Sequence, residues 1–320
     1  MRFDYLCATI SLFYFMLKLH VVNETAKLEA VVLGIANSPG PVPGLDEAYD
    51  PKSKEFIRLN QYPKEEDMVA EMDAFAKVLQ KYGVEVHRHK LLEDVNQIFS
   101  RDIAFVINDK LIVANVLEDR AEEIEAISHL IDQLPDDQLI EMPEEVRVEG
   151  GDVMPWNGKI FMGYSEAADF LKYKVARTNR AGVEFLKASF PEWDVHAFEL
   201  VKSDEDPRYN ALHLDCCFQP IGMDQAIIFP GGFKNAKDVA FLRSHFGQGK
   251  LIEISRDEMY HMQSNIFSIS PEVIVSEKRF TRLNTLLRER GFTVEEVPYF
   301  EIGKQEGLLR CSTLPLRRKP

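Results

Sequence analysis

Cysteine is scarce in this chain: four in 320 residues, at Cys7, Cys216, Cys217 and Cys311. They show no metal-ligand spacing, and the adjacent pair cannot readily close an ordinary disulfide, so neither a zinc site nor a disulfide framework is expected. Such usage suits a reducing, cytoplasmic setting. Basic patches are lacking too. Against 52 Asp plus Glu stand 38 Lys plus Arg, a formal charge of −14, and the cations cluster only at Arg317-Arg318-Lys319. That balance argues against nucleic acid and anionic membranes as partners. Long hydrophobic runs are also missing. The run Leu6–Leu17 behind Arg2 is too short to span a bilayer, and no small-x-small cleavage site follows it before His20-Val21-Val22. It reads either as a signal or anchor core or as an upstream extension ahead of a start at Met16, and Asp4 favours the extension. Residues 1–22 are accordingly set apart from a single domain over 23–320. A homo-oligomer is compatible with this composition.

What is present is a repeated theme, since 45% hydrophobic content supplies a core and the apolar runs recur in one order. Two strands, a helix-period segment and a third strand follow one another about five times. The hairpins are Ile103–Ile107 with Leu111–Ala114, Val153–Trp156 with Lys159–Met162, Cys216–Ile221 with Gln225–Phe229, and Ile266–Ile269 with Val273–Val275. Asn157-Gly158 is the clearest hairpin turn. Helices are expected over Lys64–Tyr82, Glu118–Gln133, Val175–Ser189, Ala236–Phe246 and Arg279–Arg290, and the first unit begins with the strand Ala30–Ile35. The fold class is α/β, and five units closing about an axis make a propeller; an ordinary mixed sheet would show the same alternation. The Pro- and Gly-rich segment Asn37–Gln61 fits no element and reads as a lid or as a solvated connection.

The polar residues that could carry chemistry stand at the same point of four units. His213-Leu214-Asp215 opens a strand whose alternation puts both polar side chains on one face. Glu149-Gly150-Gly151-Asp152 begins a hairpin, Ser100-Arg101-Asp102 precedes another, and Arg310-Cys311 precedes the last apolar stretch. Closure of the units brings Asp102, Glu149, His213, Asp215 and Cys311 together. Carboxylates without a His or Cys cluster suit a planar cation better than a transition metal, beside a thiolate and a proton-shuttling histidine. Neither a metal nor another cofactor is therefore expected. Cys216 and Cys217 read as small core residues, His87, His89, His196, His245 and His261 match no motif, Asp152 serves a catalytic partner or the turn amides, and Asn265 is a candidate pocket residue.

From about Leu28 onward the sequence resembles the guanidine-modifying enzymes of the pentein fold: arginine deiminases, dimethylarginine dimethylaminohydrolases and amidinotransferases. Arg101-Asp102-Ile103 is similar to the Arg-Asp strand start of that family, Glu149-Gly150-Gly151-Asp152 to the acidic Gly-Gly motif of its hydrolases, His213-x-Asp215 to its catalytic His with a second guanidinium-binding Asp, and Arg310–Pro315 to its nucleophile loop. The resemblance implies a five-bladed ββαβ propeller with pseudo-five-fold symmetry. It implies Cys311 as nucleophile, His213 and Glu149 as further catalytic groups, and Asp102 and Asp215 on a small-molecule guanidino substrate. Arg177, in Arg177-Thr178-Asn179 after an insertion at Glu166–Ala176, is implied on the substrate carboxylate. Two departures stand out. Dimethylarginine hydrolases usually lack the second Asp, and Lys304–Gly307 lacks the Gly-rich, Arg-containing loop of arginine deiminases. The implied reaction is hydrolysis of a guanidino C–N bond through a thiouronium intermediate, with amidino transfer to an amine and a non-catalytic binding pentein as alternatives.

Overall fold

A computed structural model describes residues 17–319; Cys7, Met16 and most of the apolar N-terminal run lie outside the described residues. Five three-stranded sheets make up the fold. In each, the middle strand runs antiparallel to one neighbour and parallel to the other. The antiparallel partner can follow through a tight turn, whereas the parallel partner needs a long crossover, and the helices supply it. The second unit pairs Ala104–Ile107 with Lys110–Val113 and then Leu139–Glu141. The third pairs Val153–Trp156 with Lys159–Tyr164 and then Asp194–Glu199. Gln225–Ile228 lies between Phe218–Ile221 and Leu251–Glu253, and Val273–Glu277 between Phe267–Ser268 and Thr293–Val297. At the third hairpin Asn157 and Gly158 take φ values of 50° and 77°, the doubly left-handed turn that matches strand twist.

The first unit closes the ring. Its middle strand Leu28–Leu33 is antiparallel to Thr313–Arg318 and parallel to Glu85–Arg88, so segments from near both ends of the described chain share one sheet. This is the five-bladed ββαβ propeller. Leu17, Leu19 and Val21 already pack into its core, and His20 and Val21 bridge to Arg317 and Asn108. Helices form where the apolar period demands. Over Glu65–Lys81, Met68, Met72, Phe75 and Leu79 recur at helical spacing and are all buried.

Several expectations shift in detail. Glu118–Gln133 is a 3₁₀ segment over Glu118–Ile127 followed by one α-turn, Ser128–Ile131. Val175–Ser189 shortens to Arg180–Ser189, because the Asn179 side chain accepts from the Gly182 amide and starts the helix there. The strand Leu139–Glu141 escapes the apolar pattern because it has only three residues. Within 37–61 a real helix runs over Pro51–Arg58, with Asp50 accepting from the Ser53 amide at 2.7 Å and Pro51 in the first turn.

The closing strand is a direct test of how much the ring depends on its seam. Leu314 is buried in the second core cluster, whereas Leu171 is almost fully exposed. Leu314→Ala is expected to cost about 2–5 kcal/mol and Leu171→Ala less than about 0.5 kcal/mol, measured by urea unfolding.

Candidate active site

The functional side chains come from single helical turns that precede the blades. Ser100–Ile103, Gly150–Asp152 and Leu214–Cys216 each make one turn before a strand opens at Ala104, Val153 and Phe218. His213 and Asp215 therefore do not alternate along a strand as expected: His213 caps a turn, and the strand begins only at Phe218. Cys216 likewise belongs to the turn, with Cys217 just beyond it, and both thiols are buried. The two glycines make room for this stacking of turns. A Cβ on Gly151 would sit 2.6 Å from Cγ and Nδ1 of His213, and one on Gly150 would sit 2.4 Å from the Arg101 carbonyl oxygen. Asp152 accepts from the Leu214 amide at 2.8 Å and so fastens the His213 turn to its neighbour.

Asp102, Glu149, His213, Asp215 and Cys311, scattered over 210 residues of sequence, meet at one end of the axis. His213 Nε2 lies 2.8 Å from Glu149 Oε2, and its Nδ1 lies 3.8 Å from Asp102 Oδ1. Among the described residues nothing hydrogen-bonds to Asp102 Oδ1, while Asp102 Oδ2 accepts from Arg120 Nη1 at 3.0 Å. Cys311 Sγ lies 3.6 Å from Asp215 Oδ2, and the Asn265 amide nitrogen donates to the sulfur at 3.1 Å. Arg177 Nη1 stands 3.5 Å from both oxygens of Glu149, and its Nη2 donates to the Tyr49 carbonyl. The insertion ahead of Arg177 loops outward and returns, with the Ser165 amide donating to the Thr178 carbonyl.

These groups surround a cavity of about 220 Å³. Asp102, His213, Arg177 and Cys311 line it, whereas Glu149 and Asp215 stand one layer back, Glu149 behind His213 and Asp215 behind Cys311. Pro39, Tyr49, Asp50 and Ser53 from the 37–61 segment and Gln305-Glu306-Gly307 complete the wall, so the segment without a sequence assignment and the departing loop both shape the pocket. Glu306 is held at φ 56°, outside the range a side chain ordinarily adopts. Arg120 lies in what reads as an ordinary surface helix; it is the one cation in the acidic run Glu118–Glu125, and its Nε and Nη2 donate to Glu123.

Burial opposes charge at Asp102, Glu149, His213 and Cys311, and their neighbours decide the outcome; at Asp102 burial raises the carboxyl above its usual value although His213 and Arg120 pull it down. For Glu149, burial is overcome by Arg177, by the His213 hydrogen bond and by Arg120, and the carboxyl falls far below its usual range. His213 is likewise opposed by burial, but Asp102 and the Glu149 hydrogen bond raise it above its ordinary value, which favours an imidazolium paired with Glu149. Burial pushes the Cys311 thiol up, Asp215 and Asp102 push it further, and the Leu308 amide and Asn265 pull it back only in part. Both shifts run the same way, favouring a protonated His213 and a protonated Cys311 thiol. Oxygen and nitrogen atoms of Asp102, Glu149 and His213 lie within 4.8 Å of one another, a spacing that a metal ion could bridge. The Arg120 and Arg177 guanidinium groups already supply positive charge there and would repel a divalent ion. Outside the cluster, His89 accepts or donates at Ser100 Oγ, 2.8 Å away, and burial lowers it to about 3. It is a neutral anchor for the turn that carries Asp102.

The raised His213 pKa has a consequence for stability. A histidine whose folded pKa exceeds its unfolded value stabilises the fold fully below about pH 6.5 and progressively less as pH rises through the folded value. The loss of unfolding free energy in His213→Gln is therefore expected to be larger at about pH 5.5 than at about pH 9 in urea titrations; an equal loss at both would contradict a protonated His213.

Sequence and structure comparisons agree with this fold. A family model described as "N,N dimethylarginine dimethylhydrolase, eukaryotic" matches residues 47–318. The YkgA protein of Bacillus subtilis is 29% identical over 225 residues, covering 69% of this chain and 70% of that one. An arginine deiminase of Lactococcus lactis subsp. cremoris is 26% identical over 206 residues, 54% of this chain and 48% of that protein, so the match spans about half of the deiminase. In structure, the N-terminal domain of the cyanobacterial arginine dihydrolase ArgZ matches with a TM-score of 0.74 at 17% identity, over 90% of this chain and 98% of that one. The amidinotransferase SxtG of Microseira wollei matches with a TM-score of 0.72 at 20% identity, over 94% and 98%. The chain thus belongs to the eukaryotic N,N-dimethylarginine dimethylhydrolase family, within the guanidine-modifying superfamily of the pentein fold.

Proposed function

We propose that residues 23–320 act as one catalytic domain that hydrolyses a guanidino C–N bond of arginine or an N-substituted arginine, with Cys311 as nucleophile. The observation that carries this reading is the open Asp102 Oδ1, facing His213 in the cavity that also holds Cys311. An unpaired carboxylate oxygen beside a thiol is a docking point for a cation whose carbon the sulfur then attacks. Glu149 and Asp215 add negative charge from behind and favour the guanidinium through the low-dielectric wall. Arg177 lines the same cavity and is our candidate for the substrate carboxylate, with Arg120 beside Asp102 as a second cation.

The charge pattern dictates an order of events. With burial and carboxylates raising the thiol, ionisation is favoured once a guanidinium enters, and the thiol proton is released to solvent. The thiolate adds to the central carbon and forms a tetrahedral adduct. His213, protonated at rest, gives its proton to the departing amine as the C–N bond breaks, leaving a thiouronium on Cys311. Neutral His213 then takes a proton from water, and hydroxide adds to the thiouronium carbon. Collapse to the ureido product breaks the C–S bond, and the hydroxyl proton returns to sulfur as thiol.

Two measurements test this. Incubation with arginine, N-methylated arginines and agmatine, with and without glycine or ornithine, is expected to give a ureido product and released amine by mass spectrometry, and none from Cys311→Ser. Acceptor-dependent products would assign amidino transfer instead, and inactivity across the panel would favour a binding protein. Alkylation supplies the pH test. Neutral iodoacetamide is expected to label Cys311 slowly near neutral pH and faster as pH rises beyond the ordinary thiol range, because the thiol is raised. A cationic haloacetamidine, which can occupy the guanidinium position, is expected to label it faster at neutral pH.

A further inference from the structure

Three of the turns at the axis carry a polar residue two positions before the first strand of their blade. Asp102 precedes Ala104, Cys311 precedes Thr313, and Asn265 precedes Phe267. Asn265 is fully buried, and both ends of its amide have partners. Its Oδ1 accepts from the backbone amides of Arg310 at 2.9 Å and Cys311 at 3.2 Å. Backbone N–H groups can only donate, so the oxygen must face the nucleophile loop and the NH₂ must face the other way. That NH₂ meets Cys311 Sγ at 3.1 Å. The orientation is fixed by the fold rather than chosen by the sulfur.

The charges around the sulfur make this donor matter. Asp215 Oδ2 lies 3.6 Å from Sγ, and Asp102 also faces the cavity, so anionic groups oppose a thiolate. Arg310, the cation next to Cys311 in sequence, directs its Nη1 to Asp215 at 2.9 Å and to the carbonyls of Gly150 and Gly151. It is engaged elsewhere. Asn265 is thus a neutral, preoriented donor at the reacting atom, one that could stabilise negative sulfur in the thiolate and when the C–S bond breaks.

We infer that Asn265 is a catalytic residue, the fixed hydrogen-bond donor that stabilises the Cys311 thiolate when it forms and receives the sulfur as a leaving group. The inference rests on Cys311 being the nucleophile. It separates from a purely structural role because Asn265 does two things with two different atoms. Oδ1 anchors the Arg310-Cys311 loop, and Nδ2 serves the sulfur. Asn265→Asp keeps an acceptor for the two backbone amides and replaces the sulfur donor by an oxygen, whereas Asn265→Ala removes both.

The test is the pH profile of Cys311 alkylation by iodoacetamide, followed by intact mass on protein whose fold is checked by circular dichroism. Cys216→Ala and Cys217→Ala in the background leave Cys311 as the reporter among the described cysteines. Both Asn265→Asp and Asn265→Ala are expected to move the alkylation midpoint to higher pH and lower the rate at a given pH by about 10- to 100-fold, the range for a hydrogen bond to a charged group. If guanidine turnover is present, kcat is expected to fall by a similar factor with KM little changed. An Asn265→Asp profile that overlies the parent while Asn265→Ala is slowed would reduce Asn265 to a loop anchor and overturn the inference. Where Asn265→Asp does not fold, an unshifted Asn265→Ala profile overturns it equally. Because iodoacetamide needs no guanidine site, absence of turnover would count against the proposed reaction and leave this result standing or falling by itself.

Discussion

The site depends on one buried guanidinium that belongs to the protein. Arg310 is fully buried, and its Nε, Nη1 and Nη2 all donate: to Glu24, to Asp215, and to the carbonyls of Gly150, Gly151 and Val153. A charge in that position is tolerable only with such complete pairing. Glu24, held near 2 chiefly because Arg310, Arg101 and Arg318 outweigh its burial, is the matching anion. The result is mechanical as well as electrostatic. The Cys311 turn, the Gly-Gly turn and the Asp215 turn belong to three different blades, and a single planar group fixes their separation. Arg101, which donates to the same Glu24, brings in the turn of Asp102 and accepts nothing in return, while its backbone amide donates to the Cys311 carbonyl.

Above this layer one carboxylate oxygen is left without a hydrogen-bond donor. Glu149 is satisfied by Arg177 and His213, and Asp215 by Arg310, but Asp102 keeps one oxygen open. The thiol and the imidazolium are each in the protonation state that burial and neighbours dictate, and neither is the reactive one for nucleophilic attack. A cation entering beside Asp102 changes the balance for the thiol at once, and it leaves the imidazolium as an acid pointed at the same space. On the proposed function, substrate binding and activation of the nucleophile become one event. A resting enzyme of this kind is shielded from stray oxidants and electrophiles, since the thiolate is the reactive form.

Much of this was legible from sequence because the fold is a repeat. The alternation of hairpin, crossover and strand located about five units from local pattern, four of them with a complete hairpin, and the shared turn position gathered Asp102, Glu149, His213, Asp215 and Cys311 before any distance was known. Closure was not legible locally, since the pairing of Leu28–Leu33 with Thr313–Arg318 joins opposite ends of the sequence. Nor was the layering. Spacing can say that Asp215 and His213 share a turn, but only packing shows His213 at the cavity and Asp215 behind the sulfur. Arg120 was hidden by an acidic amphipathic-looking run that folds as a 3₁₀ segment; Asn265 was legible as a pocket candidate, but its contact with the sulfur was not, although its place in the repeat equals that of Asp102 and Cys311.

The second Asp of the His213-x-Asp215 pair can be understood through its partner. A carboxylate with no solvent access beside that sulfur would oppose a thiolate outright if left bare, and would itself be a buried charge without a partner. Arg310 removes both difficulties, because it pairs with Asp215 at 2.9 Å while sitting one residue before Cys311 in the chain. The two residues are therefore best regarded as one unit added to the site. Deleting either alone strands a buried charge, which costs about 3–5 kcal/mol, whereas replacing both by apolar groups of similar volume removes the need for pairing. The acceptors Gly150, Gly151 and Val153 would then lose their donors, so the neutral pair is tolerated only where those carbonyls find other partners. That coupling ties the choice of residue before the nucleophile to the choice of residue two after the histidine, across 95 positions of sequence.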